Sequence, residues 1–327
     1  MKKLDGQVAL VTGATRGLGK GIAIALGEAG AIVYITGRSL NSSNGSNDIS
    51  GSLLDTQLAV ENAGGICIPV QVDHSDDEQV NQLFQRIQNE QDGKLDLLVN
   101  NAYSGVKVLT EAQGKPFWKC EPSLWDACNN VGLRSHYIAS VFAARMMSQR
   151  QQGLICTISS WGGLSHIFGT AYGTGKSACD RLASDMAVEL KPYNVASMAI
   201  YPGIVGTEQF KTMAEEGENS LFRDTPKGVA KSDRFNWETP LLTGRVIAQL
   251  KSEVDVMRRT GKVQIVAELA RKYGIVGEDG EQPASLRSLQ FLLPFAFAGL
   301  RNYASFIPDI KVPWWLLLIS TLSSPKV

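Results

Sequence analysis

The chain has 327 residues, 44% of them hydrophobic and 20% charged, which is enough apolar material for a core and excludes a disordered protein. Its 32 Lys and Arg balance 32 Asp and Glu, and without a net positive field a dedicated nucleic-acid binder is excluded. Three His and five Cys have no metal-ligand spacing, so we expect no metal. The odd cysteine count and the lack of an apolar signal core among the first residues predict reduced thiols and a cytoplasmic location.

Short runs rich in Val and Ile alternate with longer stretches of helical period from residue 7 to about 205. We predict strands at residues 8–12, 32–36, 66–72, 95–99, 154–158, 195–200 and 262–266, and helices at 19–29, 77–91, 123–149 and 172–190. The helix from residue 123 opens with a Ser123-x-x-Asp126 capping pattern. This alternation predicts an α/β domain over residues 1–275, built on a doubly wound, parallel, seven-stranded sheet of Rossmann type.

Three segments depart from this rhythm. Residues 39–52 are mostly Ser, Asn and Gly and predict a flexible surface loop, and the polar residues 208–245 predict an excursion that serves as a substrate lid. Residues 276–327 form an apolar C-terminal extension whose two apolar runs, within 289–322, are each too short to span a bilayer. The sequence leaves two alternatives for it: packing over the substrate cleft or a subunit interface, or peripheral contact with a membrane surface.

A glycine-rich segment follows the first predicted strand and opens the first predicted helix. Such glycines allow a tight turn and bring the backbone close to a pyrophosphate at the helix N-terminus. The spacing of three intervening residues and then one differs from the usual Gly-x-Gly-x-x-Gly. The residues expected to bind a dinucleotide here are Gly13, Thr15, Arg16, Gly17, Leu18 and Gly19.

The end of the second predicted strand bears on the choice of dinucleotide. A carboxylate there would bind a ribose 2′-hydroxyl, but the sequence reads Thr36-Gly37-Arg38, and Arg16 supplies a second cation. Since Arg binds phosphate well, NADP(H) is expected in preference to NAD(H).

Tyr172 and Lys176 are one turn apart at the start of a predicted helix, so their side chains share a face. An ammonium beside a phenol stabilises the phenolate, as a general acid/base requires. Ser160 ends the fifth predicted strand, at the edge of the sheet where ligands bind in open α/β folds. Tyr172 and Lys176 alone would more often be an ordinary packed pair, but Ser160 favours a catalytic site.

With these motifs the chain resembles the classical short-chain dehydrogenase/reductase family over about residues 5–266. Within that family it is similar to the dehydrogenase/reductase member-1 type and its bacterial relatives. The resemblance implies that Tyr172 donates a proton to a substrate carbonyl, that Lys176 holds the cofactor ribose and that Ser160 orients the carbonyl. It also implies a small carbonyl or alcohol substrate, expected to be apolar, and a homo-oligomer. Further cofactor contacts implied by the resemblance are Asp73, Asn100, Ala102, Pro202, Gly203, Val205 and Thr207.

Three departures from the family pattern stand out. Gly132 replaces an asparagine of a proton relay, Tyr103 replaces a glycine, and the spacing from Ser160 to Tyr172 is one residue short, which leaves Ser159 as an alternative. The missing relay favours a second hypothesis, a non-catalytic NADP-binding sensor or scaffold. The three His lack partners at ligand spacing and are expected to be structural or on the surface. Trp161 and Phe168 either line an apolar pocket or pack the loop.

Overall fold

The computed structural model describes residues 2–41, 51–112, 114–208 and 235–322. The strands are β1 (Val8–Val11), β2 (Ile32–Gly37), β3 (Ile66–Gln71), β4 (Leu97–Asn100), β5 (Gly153–Ile158), β6 (Val195–Tyr201), β7 (Ile204–Val205), β8 (Trp237–Glu238) and β9 (Val263–Ile265). Seven of them form a parallel sheet in the order β3-β2-β1-β4-β5-β6-β9, and β7 pairs with β8. The predicted seven-stranded, doubly wound α/β sheet is confirmed.

The helices connect these strands and cover the sheet. They are α1 (Gly17–Glu28), α2 (Leu53–Asn62), α3 (Asp77–Glu90), α4 (Val106–Ala112), α5 (Ser123–Asn129), α6 (Ser135–Arg150), α7 (Thr170–Leu190), α8 (Pro240–Lys251), α9 (Val266–Tyr273), α10 (Leu289–Ala296) and α11 (Trp314–Leu322). The strand order reverses between β1 and β4, and in open α/β sheets such a switch point makes a crevice at the carboxyl edge.

Both faces of the sheet are buried, because alternate residues of each strand point to opposite sides. Ala9 and Val11 of β1 belong to one core cluster, to which α1 and α8 contribute. Val8 and Leu10 belong to a second cluster on the other face, to which α3 and α6 contribute. Continuous apolar strands such as β1 are therefore what a sheet covered on both faces requires.

The prediction of one uninterrupted helix over residues 123–149 is wrong. Helix α5 ends at Asn129, a π-helical turn spans Asn130–Arg134, and α6 begins at Ser135. Val131 leaves the helical region with φ −106° and ψ 25°, which breaks the regular hydrogen bonding. The expected cap at Ser123 is also absent, because the helix begins at that residue and Pro122 occupies the N-cap position without a side-chain hydrogen bond.

Part of the predicted lid, residues 208–245, is buried. Residues 209–234 lie outside the described residues, but Pro240 begins the buried helix α8. A Cβ on Gly21 would lie 2.5 Å from Pro240, and one on Gly244 would lie 2.6 Å from the Cβ of Ala25. Since α1 and α8 pack this closely through glycine, residues 240–245 belong to the core.

The described ends of the other predicted loop, residues 39–41 and 51–52, lie between β2 and α2. Residues 42–50 lie outside the described residues, while Ser52 caps α2 by accepting a hydrogen bond from the amide of Asp55 at 3.0 Å. The sequence did not predict helix α2, because its apolar and polar residues are only weakly separated onto opposite faces.

The C-terminal extension packs on the α/β domain over part of its length. Arg287 donates from Nε and Nη2 to the two carboxylate oxygens of Glu268 at 2.6 and 3.1 Å, a bidentate pair largely shielded from solvent. Phe291 is buried in a small cluster with Trp161 and Ile204 packed against it. Other residues of the extension point outward; Phe306 is 83% exposed and Trp315 62% exposed. Over the described residues no helix is long and apolar enough to cross a membrane.

Candidate active site

The glycine-rich loop joins the end of β1 to the start of α1 at the carboxyl edge of the sheet. Gly13 and Gly17 have φ angles of 68° and 55°, in the left-handed region that glycine adopts without strain. A Cβ on Gly13 would lie 2.6 Å from the Cα of Ala102, and one on Gly19 would lie 2.3 Å from the carbonyl oxygen of Gly13. The tight turn therefore depends on glycine, while Leu18 packs its side chain against the core.

The first turn of α1 already holds an anion. The amide N–H of Gly17 donates a hydrogen bond to Oε2 of Glu208 at 3.1 Å, and Thr207 contacts the same turn. Negative charge is stabilised at a helix N-terminus by its amides and its dipole. A carboxylate is thus the stand-in for the phosphate of a dinucleotide, and the chemistry of this turn fits such a cofactor.

Arg16 and Arg38 lie at neighbouring ends of the loop and of β2. A Cβ on Gly37 would lie 2.6 Å from Cγ2 of Thr15, so the loop and the strand end are in contact. Both arginines are exposed there. The arrangement brings two exposed guanidinium-bearing residues to adjoining segments of the chain.

Asp73 follows β3 at the same edge of the sheet. The amide and the hydroxyl of Ser75 donate to its Oδ1 at 2.9 and 2.7 Å, and the amide bond is the main reason why the pKa of Asp73 is lowered. The positive charge of Arg38 acts in the same direction. Asp73 therefore presents a fixed, ionised carboxylate to this end of the crevice.

Asn100 is the last residue of β4. Its side chain is fully buried and donates from Nδ2 to Oγ of Ser140 at 2.8 Å. The neighbouring Asn101, which the sequence analysis did not assign, donates from Nδ2 to the carbonyl oxygens of Thr12 and Gly13, both at 2.9 Å. Asn101 thus fixes the glycine-rich loop, a role signalled only by its place directly after β4.

The remaining predicted contacts, Pro202, Gly203 and Val205, follow β6. A Cβ on Gly203 would lie 2.6 Å from Oε1 of Glu238, a buried carboxyl on β8 that the sequence analysis also missed. Burial raises the pKa of Glu238 to about 7, and the amide of Gly203 offsets part of this rise. The absence of a side chain at Gly203 therefore makes room for the Glu238 carboxyl group, whose pKa lies close to neutral pH.

Ser160, Tyr172 and Lys176 converge at the end of β5. Lys176 is buried and donates from Nζ to the carbonyl oxygen of Ile158 at 3.0 Å, which holds its ammonium near the strand end. A Cβ on Gly162 would lie 2.7 Å from the ring of Tyr172 and 3.5 Å from Oγ of Ser160. The serine hydroxyl and the tyrosine ring therefore approach the same point from two elements.

Ser159 has a different position from Ser160. Its buried hydroxyl donates to the carbonyl oxygen of Lys176 at 3.1 Å and so ties β5 to α7. Oγ of Ser160 instead accepts from the amide of Gly162 at 3.1 Å, at the mouth of the site. This geometry favours Ser160 over Ser159 for contact with a substrate.

Aromatic rings surround Tyr172. Phe168 meets it edge-on with ring centres 5.2 Å apart, and Tyr103 does so at 6.1 Å. Phe168 has a φ of 59°, unusual for a bulky residue, and remains partly exposed. Trp161 packs between core clusters instead. Phe168 is thus placed as a wall of the crevice.

Two of the three histidines are buried without a catalytic arrangement. His136 contacts the carbonyl oxygen of Ala102 through Nε2 at 3.0 Å, and burial lowers its pKa to about 3, aided by the charge of Lys176. His74 contacts Oγ1 of Thr36 at 2.7 Å, and burial lowers its pKa to about 4. Both are neutral at physiological pH and hold loop ends together.

Comparison with known proteins gives the family of this chain. The family described as short chain dehydrogenase matches residues 7–218. The chain belongs to this family. It is 41% identical over 320 residues to dehydrogenase/reductase SDR family member 1 of Mus musculus, covering 97% of both chains. The Homo sapiens protein of the same name is also 41% identical, with 97% and 98% of the two chains covered.

A solved structure extends the comparison to a cofactor complex. A metagenomic short-chain oxidoreductase in complex with NADP is 26% identical, with a TM-score of 0.61 over 80% of this chain and 97% of that one. The family assignment makes this chain an oxidoreductase that acts on CH–OH groups with a nicotinamide dinucleotide.

Proposed function

We propose that the chain interconverts a carbonyl and an alcohol with NADP(H), using Tyr172 as the proton donor and acceptor. The observation that carries this proposal is the approach of Ser160 Oγ and the Tyr172 ring to the same glycine, Gly162, with Nζ of the buried Lys176 5.8 Å from the centre of that ring. A hydroxyl, a phenol and a cation at one point can bind, protonate and stabilise an oxygen that gains negative charge.

In the proposed reaction the bound cofactor supplies or accepts the hydride. Ser160 donates a hydrogen bond to the substrate oxygen and sets its distance from Tyr172. Tyr172 transfers its phenolic proton to that oxygen in reduction and takes it back in oxidation. Lys176, fixed by the carbonyl of Ile158, stabilises the phenolate that remains.

Preference for NADP(H) over NAD(H) is part of the proposal. Arg38 is exposed directly after β2, and Arg16 is exposed in the adjoining loop. Guanidinium groups bind phosphate through paired charge-assisted hydrogen bonds, which suits a ribose 2′-phosphate. The NADP complex of the metagenomic relative supports the same choice.

The substrate is proposed to be apolar, because aromatic and aliphatic residues border the site. Phe168 flanks Tyr172, and Ile204 lies just beyond the Pro202 turn. Ile204 packs against the cluster of Phe291 in the C-terminal extension. The extension therefore packs beside residues adjoining the site, which supports its role in covering the cleft.

A screen tests this proposal. Purified protein is mixed with NADPH and with a panel of aldehydes, ketones and quinones, and oxidation of NADPH is followed. The proposal expects turnover of apolar carbonyls and tighter binding of NADPH than of NADH. Binding of NADPH without turnover across the panel would instead support the sensor or scaffold.

Membrane contact through residues 289–322 is a second proposed property, because Phe306, Trp315 and Ile319 are exposed on the extension. Co-sedimentation with liposomes tests it, with the substitution of Phe306 and Trp315 by Ser as the variant. Pelleting of the parent and not of the variant supports contact, and failure of both to pellet refutes it. The cytoplasmic location and the homo-oligomer stay predictions.

A further inference from the structure

Tyr103 occupies space that a side chain at position 132 would need. A Cβ on Gly132 would lie 2.6 Å from Cδ2 and 2.9 Å from Cε2 of Tyr103. At the other end of the ring, a Cβ on Gly105 would lie 2.6 Å from Oη of Tyr103. The ring of Tyr103 lies between Gly132 and Gly105. A tyrosine at position 103 therefore requires a residue without a side chain at position 132, so the two departures from the family pattern depend on each other.

The seated ring faces the ammonium of Lys176. Nζ of Lys176 lies 5.2 Å from the ring centre of Tyr103 and 5.8 Å from that of Tyr172, within the range of cation–π attraction. The carbonyl of Gly132, which belongs to the π-helical turn Asn130–Arg134, accepts a hydrogen bond from the thiol of Cys179 at 3.3 Å. Tyr103 thus offers Lys176 an aromatic face, while the carbonyl of Gly132 is engaged by the thiol of Cys179.

Tyr103 acts through its ring and not through its proton. Burial raises the pKa of Tyr103 far above the ordinary value, and the thiol of Cys128 adds to the effect. The phenol of Tyr103 therefore stays neutral at physiological pH. Its neutral π face can still attract a cation from a site shielded from water.

We propose that Tyr103 is a positioning residue: seated in the gap left by Gly132, its ring holds the Lys176 ammonium beside Tyr172. This inference rests on the proposed roles of Tyr172 and Lys176 and assigns the residue that supports them. It also gives a physical reason why a chain with glycine at 132 can keep the arrangement of Lys176.

Other titratable groups near Lys176 are Cys128, His136, Cys179 and Asp180. His136 is neutral, and burial raises the pKa of both thiols. Burial raises the pKa of Asp180 to about 6, so its charge is constant in alkaline solution. An alkaline titration compared between matched variants therefore isolates the effect of the Tyr103 ring.

The experiment is an ultraviolet titration of tyrosinate that needs no substrate. The spectrum of each protein minus that of its own Tyr172→Phe version gives the signal from position 172. Tyr103→Leu removes the ring, and we expect the midpoint of this signal to rise by about half a pH unit or more, because a less well held ammonium stabilises the phenolate less. The matched control, Tyr103→Phe, keeps the ring and should keep the midpoint of the parent.

Gly132→Ala gives an independent route to the same test, since its Cβ displaces the ring of Tyr103. We expect it to raise the midpoint in the parent background and to have little further effect beside Tyr103→Leu, a non-additive pair. Circular dichroism establishes that each variant is folded. If Tyr103→Leu and Gly132→Ala are folded and keep the parent midpoint, the positioning role is refuted. A parent that shows no titratable signal from position 172 would instead refute the proposed function.

Discussion

Glu238 makes the stability of the protein depend on pH in a direction opposite to that of most carboxylates. It lies fully buried on β8 against Gly203, and burial raises its pKa from about 4.5 in water to about 7. The folded state therefore binds the proton more tightly than the unfolded state. Its contribution to stability is fully present below about pH 4.5 and is lost as the pH rises through about 7.

The size of this effect follows from the difference between the two pKa values. At 1.36 kcal/mol for each pH unit, the whole loss is about 3 kcal/mol, of which about 2.5 kcal/mol falls between about pH 5 and about pH 8. Glu238→Gln keeps the shape and removes the charge. We expect the gap in unfolding free energy between variant and parent to shift by about 2.5 kcal/mol in favour of the variant over that range.

Urea unfolding followed by fluorescence at the two pH values measures this shift. Glu253→Gln is the matched control, because a hydrogen bond from Arg259 lowers the pKa of Glu253 to about 2 and keeps it ionised at both values. Its substitution should therefore change stability equally at each pH. If the Glu238→Gln and parent curves stay parallel within about 0.5 kcal/mol across the range, the buried carboxyl does not titrate as described.

Two further substitutions test the cofactor site by fluorescence titration. Arg38→Asp should shift the ratio of NADPH to NADH dissociation constants on the order of tenfold to a hundredfold toward NADH, because a charge-assisted contact is replaced by repulsion. An unchanged ratio would remove Arg38 from the phosphate site. Glu208→Gln should tighten NADPH binding about two- to fivefold, since its carboxylate competes for the amide of Gly17. Weaker or equal binding would show that Glu208 does not compete, and Glu28→Gln is a control at the other end of α1.

The sheet was predictable because its strands are buried on both faces and read as continuous apolar runs. Val8, Leu10 and their alternate partners must all be hydrophobic, whichever face they point to. The order of motifs along the chain then placed the loop at Gly13 and the pair of Tyr172 and Lys176 on the edge where they are found.

The departures could not be predicted in the same way, because they depend on contacts between distant residues. Asn130, Val131 and Gly132 are poor helix formers, but only the structure shows that the helix breaks at Val131. The space for Tyr103 is likewise visible only once Gly132 and Gly105 are brought to its ring. Asn100 is adjacent to Asn101 in sequence, yet one side chain turns into the core and the other to the loop. Successive side chains of an extended chain point to opposite sides, and this alternation, not the residue type, decides between them.

Comparison of the parent with Tyr172→Phe tests the central claim most directly. The variant keeps the ring that packs against Phe168 and Tyr103 and removes only the transferable proton. On a carbonyl reduced by the parent, NADPH oxidation should fall by roughly two to four orders of magnitude while the NADPH dissociation constant stays within about twofold. A variant that turns over within a few-fold of the parent would contradict the assignment of Tyr172 as the proton donor.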